Sequence, residues 1–162
     1  MKQFTRRETV VLTRTSLGRL AYLAKIGMVI PMCLEDDPQG QLYYSWDQVL
    51  ELRTIRQLRG EISLQMIRKI MQFLEGVGGN RTLHDKHLVI ANGEVSWVQL
   101  ESGQAPHVVR VAAKANRHIG QLNLVVTPPA SDWVDEVWRI ACKSKVVDFE
   151  SFRQRTLHPQ PE

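Results

Sequence analysis

The chain has 162 residues, 43% of them hydrophobic, with 21 Lys and Arg against 17 Asp and Glu and a net charge of +4. That is enough for one medium domain or two small ones with a real core, and the modest basic excess fits a nucleic-acid partner without establishing one. The two cysteines, Cys33 and Cys142, stand far apart, which argues against a disulfide scaffold and suits a reducing cytosol; residues 1–9 form no apolar signal region, and no stretch approaches the ~20 apolar residues of a membrane span.

Thr5 can cap a short helix through Leu12, and Thr13 to Ser16 is a polar break. Ser16 can cap a second helix with Leu20, Leu23 and Ile26 on one side, stopped by Gly27. Pro31, Glu35-Asp36-Asp37, Pro38 and Gly40 forbid a long helix from Met28 to Leu42 and predict a β-loop with its tip near Pro38 to Gly40. Ser45-Trp46-Asp47-Gln48 is a capping box, and the helix it opens places Val49, Leu52, Ile55 and Leu58 on its buried side. Arg53, Arg56 and Arg59 fall at opposite or flanking angles. Gly60 ends that helix, and Ser63 caps another that buries Leu64, Ile67, Ile70 and Leu74.

The pattern then changes. Gly76-Val77-Gly78-Gly79-Asn80 is a flexible break and the expected domain boundary. Beyond it His87 to Ala91 and Glu94 to Leu100 are short apolar runs joined by Asn92-Gly93, a pair suited to a type I′ hairpin turn. Val108 to Val111 and Gln121 to Val126 are further strand candidates. Asp132 to Ser144 is predicted to be an amphipathic helix with Trp133, Val137 and Ile140 in the core, and the tail from Arg153 to Glu162 is predicted to fray.

Helix, turn, helix, β-wing, helix, helix is the order of a winged helix-turn-helix, and here the sequence resembles the MerR family of transcriptional regulators. The matching positions are Phe4-Thr5 through Leu12-Thr13, Ser16, Leu20, Tyr22, Ile26-Gly27, Pro31, Tyr44-Ser45, Val49, Leu52-Arg53, Ile55-Arg56, Leu58-Arg59, Ser63-Leu64 and Ile67. They span residues 3–75. The resemblance implies a recognition helix that enters the major groove while basic and hydroxyl side chains around it hold phosphates. The DNA-binding candidates are Arg6, Arg7, Arg14, Thr15, Ser16, Arg19, Tyr22 and Arg53. Arg19 is the leading one for a base-edge or nearby phosphate contact, because a guanidinium offers a bidentate fork. Tyr22 is a phosphate contact by resemblance, and a tyrosine packed into the core is the other reading.

Departures from the family accompany the match. Ala21 and Leu42 stand where an Arg is usual, and Leu23 where a Tyr is usual. The glycine-rich break and the strands after it replace the family's usual long dimerisation helix. That layout looks more like a divergent group of MerR-like proteins, some of them in toxin–antitoxin operons. Ser63-Leu64-Gln65, Leu83, Asn92-Gly93-Glu94 and Gly120-Gln121-Leu122 carry this second likeness.

Other chemistry finds little support. His84-Asp85-Lys86-His87 lacks a third metal ligand, Cys33 carries no sign of activation, and Trp97, Trp133 and Trp138 are better core residues than pocket linings. No phosphate-cradling loop, nucleophile elbow or zinc-protease helix is present. The expected fold is α+β, with a winged-helix domain over residues 1–75, a linker over 76–80, a small strand-and-helix domain over 81–152 and a frayed tail over 153–162. The expected protein is not an enzyme and uses no cofactor or metal. It is a cytoplasmic, nucleoid-associated homodimer that binds a near-palindromic duplex. Its C-terminal half supplies dimerisation or takes a protein partner or small effector. The alternative is an antitoxin-like protein with autoregulatory DNA binding.

Overall fold

The computed structural model describes residues 3–33, 40–77, 80–91, 94–99, 107–113, 124–126 and 130–156. It is an α+β chain whose packing divides into two units: Met1–Arg53 with Trp133–Glu162, and Thr54–Asp132.

In the first unit a short strand β1 (Gln3–Thr5) leads directly into helix α1 (Arg6–Thr13). Thr5 and Glu8 close a capping box, in which the Thr5 hydroxyl accepts from the Glu8 N–H and the Glu8 carboxylate accepts from the Thr5 N–H at 2.8 Å. Each satisfies a backbone or side-chain group that the helix start would leave open. Thr13 is buried within the expected polar break, because its hydroxyl donates to the Thr9 carbonyl at 2.7 Å. Arg14 then takes a left-handed backbone (φ 53°, ψ 33°) that ends α1 and starts the turn into helix α2 (Leu17–Lys25). Gly27, at φ 72°, ends α2 in a conformation open to glycine at no steric cost.

Strand β2 (Met32–Cys33) and strand β3 (Leu42–Ser45) pair antiparallel, and β1 adds on the other side of β3 with Phe4 opposite Tyr44. The strand order is β1-β3-β2. The connection between β2 and β3, with the expected tip at Pro38, lies outside the described residues up to Gly40. Helix α3 (Trp46–Leu58) follows with the expected capping box. The Gln48 N–H donates to Ser45 Oγ at 3.1 Å, and Gln48 Oε1 accepts from the Ser45 N–H at 3.0 Å.

Two C-terminal helices complete this unit: α5 (Ala130–Lys143) and α6 (Phe149–Thr156), numbered after α4 of the second unit (Leu64–Gly76). Trp133, Val137 and Ala141 of α5 bury with Phe4, Leu12, Trp46, Val49 and Leu50, and Phe152 of α6 is fully enclosed. Phe152 has ring centroids of Phe4 and Trp46 at 5.8 Å and of Trp138 at 5.3 Å. Such tilted and edge-on contacts suit the ring quadrupoles.

The second unit carries α4 and four strands: β4 (His87–Ala91), β5 (Glu94–Gln99), β6 (His107–Ala113) and β7 (Leu124–Val126). They form one antiparallel sheet in the order β6-β5-β4-β7. Ser63 caps α4 by accepting from the Met66 N–H, and α4 packs on β6. Ile67, Ile70, Met71 and Leu74 are buried with Leu83, Leu88, Ile90 and Val95, whereas Leu64 is only half-buried. Ala91 stands opposite Glu94, so Asn92-Gly93 joins β4 to β5 as a two-residue connection whose conformation lies outside the described residues. Among the described residues no helix is long and apolar enough to cross a membrane.

This division differs from the one expected. Residues 81–152 do not pack as one body, because the apolar stripe of α5 buries against Phe4 and Trp46 in the first unit. Residues 153–156, expected to fray, form the last turn of α6. Asp148 caps that helix by accepting from the Ser151 N–H at 2.8 Å, and Phe152 and Thr156 are buried. Residues 157–162 lie outside the description.

Candidate nucleic-acid interface

Helix α2 has one inward and one outward side. Leu20 and Leu23 are buried, while Leu17, Gly18, Arg19, Ala21, Tyr22 and Lys25 are exposed. At 3.6 residues per turn the middle of the outward arc is Gly18, with Tyr22 and Lys25 on either side of it and Arg19 at one edge. A Cβ built on Gly18 would meet nothing within 4 Å. The centre of the face is therefore bare backbone, which a broad ligand surface can approach closely.

The start of α2 is fixed by Ser16, whose Oγ accepts from the Arg19 N–H at 3.3 Å while the residue remains exposed. Thr15 is buried at 7% exposure and its hydroxyl donates to the Thr13 carbonyl, so it shapes the turn rather than the surface. Arg6 is half-buried and reaches the Leu17 carbonyl at 3.4 Å, bracing the first turn of α2 against α1. Arg7, Arg14 and Arg19 are exposed. Tyr22 is 48% exposed, which removes the reading of a core tyrosine.

Arg53 requires a correction. Expected on a solvent-facing side of α3, it is 6% exposed, ion-paired with Glu136 of α5 and stacked 5.9 Å above the Trp133 ring. Its Nε is buried without a hydrogen-bond partner. The physical reason is the arrival of α5 on this face of α3, which turns a flanking position into an interior one. Arg53 therefore joins the framework, while Arg56 on the same helix and Arg59 just beyond its end stay exposed.

The ion pairs of this unit have a defined electrostatic character. The hydrogen bond from Arg53 holds Glu136 below the ordinary glutamate value of 4.5 against the opposing effect of burial, with added help from the charges of Arg53, Arg14 and Arg139. For Glu8, burial raises the value, but the hydrogen bonds from Arg155 and Thr5 outweigh it and leave the carboxyl lowered. Arg155 donates to Glu8 Oε1 at 2.6 Å and to the Gln3 carbonyl at 2.7 Å, and lies 4.5 Å above the Phe4 ring.

Sequence reasoning missed Gly18 and Lys25. Both were findable, since Gly18, Tyr22 and Lys25 recur on the side of the helix opposite Leu20 and Leu23. The two histidines of the second unit, His84 and His87, flank a carboxylate that is already engaged. Asp85 between them accepts from Thr82 at 2.8 Å and from Lys86 at 2.7 Å, and no group of three potential metal ligands occurs among the described residues. No model of a known protein family matches the chain, and no curated protein sequence matches it.

Proposed function

We propose that the chain is a sequence-specific DNA-binding transcriptional regulator of the MerR type, built on a winged helix-turn-helix and acting as a homodimer on a near-palindromic duplex. The observation that carries this reading is the outward face of α2. It is a capped helix following a tight turn, with bare backbone at Gly18, flanked by Tyr22, Lys25 and Arg19, and followed in the chain by a small antiparallel strand pair. In this reading α2 enters the major groove, β2 and β3 form the wing, Arg7, Arg14 and Ser16 hold phosphates, and Arg19 reads a base edge.

Selection of bound fragments from random duplex DNA by the full chain tests the reading. Retention of a defined site at low salt supports it, and retention of no duplex defeats it. On the selected site Arg19→Ala is expected to weaken binding by about 1–3 kcal/mol, with a smaller loss on a scrambled duplex. Equal losses on both would make Arg19 a phosphate contact.

One observation favours a second reading, an antitoxin-like protein that captures a protein partner and binds DNA to regulate itself. Strand β6 stands at one edge of the second sheet among the described residues, with Val108 59% exposed. Such an edge accepts an added strand from another chain. Sedimentation separates the two: a dimer at micromolar concentration favours the regulator, a monomer the partner-binding protein.

A further inference from the structure

The turn before α2 does not stand alone. Arg14 lines a cavity of about 450 Å³ together with Val11 of α1 and Glu136, Arg139, Ile140 and Lys143 of α5. Three cations and one carboxylate thus line it, and that carboxylate is paired with Arg53. Arg14, Arg139 and Lys143 are exposed, so the cavity presents an excess of positive charge to solvent. Arg14 also keeps a left-handed backbone, a conformation that disfavours any residue with a side chain other than Asn or Asp. Arg14 thus lines the cavity from a backbone conformation that carries a local cost.

We propose that this cavity is a phosphate clamp, in which Arg139 and Lys143 of α5 act with Arg14 to hold a DNA backbone phosphate flanking the base pairs read by α2. The inference rests on the DNA-binding reading and extends it to a helix more than a hundred residues away in sequence. Arg14 lies two residues before the Ser16 cap, so the clamp sits beside the start of α2. Guanidinium and ammonium groups together suit a phosphate, the first as a fork and the second as a point charge. Val11 and Ile140 give the cavity an apolar side that weakens competition from water.

The test uses the full chain and the duplex it selects, with a scrambled duplex beside it. Neutralising the arm as R139Q/K143Q is expected to lower the log–log salt slope of binding by about one unit, equally on both duplexes, since the one lost phosphate contact removes about 0.9. The charge-conserving pair R139K/K143R keeps the slope. A slope unchanged in R139Q/K143Q, with wild-type binding intact, overturns the clamp and leaves the DNA-binding reading standing. Failure of the wild-type chain to retain any duplex at low salt overturns both. Placement is read independently from Cys142, which is exposed and adjoins Lys143. In a C33S background, a DNA-cleaving iron chelate tethered to Cys142 should cut the backbone just outside the selected base pairs. Absence of cuts there also overturns the clamp.

Discussion

Two sets of arginines share the first unit, and they differ in everything except residue type. Arg53 and Arg155 point inward, each against a carboxylate and over an aromatic ring: Glu136 and Trp133 for one, Glu8 and Phe4 for the other. Arg7, Arg14 and Arg19 point outward. The inward pair ties the C-terminal helices to the N-terminal segment, while the outward set lies at the surface. A positive charge in a sequence therefore says little about function until its burial is known. Charge near a carboxylate and a ring holds the fold, and charge on a bare helix face serves recognition.

The comparison breaks most visibly at Arg53. Arg53→Ala should lower unfolding stability by about 2 kcal/mol, because it empties a buried position, removes the ion pair with Glu136 and removes the contact with Trp133. Urea unfolding of the full chain checks this, and a loss no larger than that of Arg56→Ala on the exposed side would place Arg53 with the outward set.

Acid sharpens the same distinction. Glu8 and Glu136 both sit below the ordinary value of 4.5 in the folded chain, so the unfolded chain takes up their protons first. Their contribution to stability is complete above about pH 5 and is lost as pH falls through their lowered folded values. Thermal midpoints measured from pH 6 to pH 3 should fall steeply, and E136Q should fall less because one of the two carboxylates no longer titrates. A parallel fall in both proteins would mean that the inward pair involving Glu136 contributes nothing to the pH dependence.

The smallest expected effect has opposite signs on the two sides of the comparison. Arg14→Gly should raise stability by about 1 kcal/mol, since glycine takes the left-handed backbone without the steric cost. The same change should weaken DNA binding. Stability and binding measured on one preparation give the answer, and a variant that gains neither stability nor loses affinity would show that Arg14 belongs to neither set.

Much of the chain was legible in its residues. Caps at Ser16, Ser45 and Ser63 placed three helices, and the two-residue spacing around Asn92-Gly93 placed the β4–β5 register, because these signals are local. The burial of Leu20, Leu23, Val49, Leu52, Ile55 and Leu58 followed from helical period alone. What stayed hidden depended on distant partners. Nothing near Arg53 in sequence announces Glu136, and nothing near Phe4 announces Phe152. The last helix carried its own signals, an Asp148 cap, Glu150 in the first turn and Arg153 and Arg155 in the last, but its short polar sequence masked them. Strand β1 is three residues long, too short for the alternation of Gln3, Phe4 and Thr5 to announce a strand, and its identity comes from pairing with β3. In the candidate interface, Arg19 and Tyr22 could be picked out from the helix face, whereas Arg139 and Lys143 required the packing of α5.

The discontinuity of the first unit has a consequence for the nascent chain. Its core is assembled from Phe4, Leu12 and Trp46 at one end of the sequence and Trp133, Val137 and Phe152 at the other. Domains ordinarily fold in the order in which they are synthesised. Here Phe4, Leu12 and Trp46 must wait, uncovered, until Trp133, Val137 and Phe152 have also been synthesised. The strands of the second unit, translated between the two halves, carry no such dependence on the C-terminal helices for their own pairing. A product terminated before residue 133 would therefore keep α2 braced on α1 through Arg6 but leave the Phe4, Leu12 and Trp46 side chains uncovered.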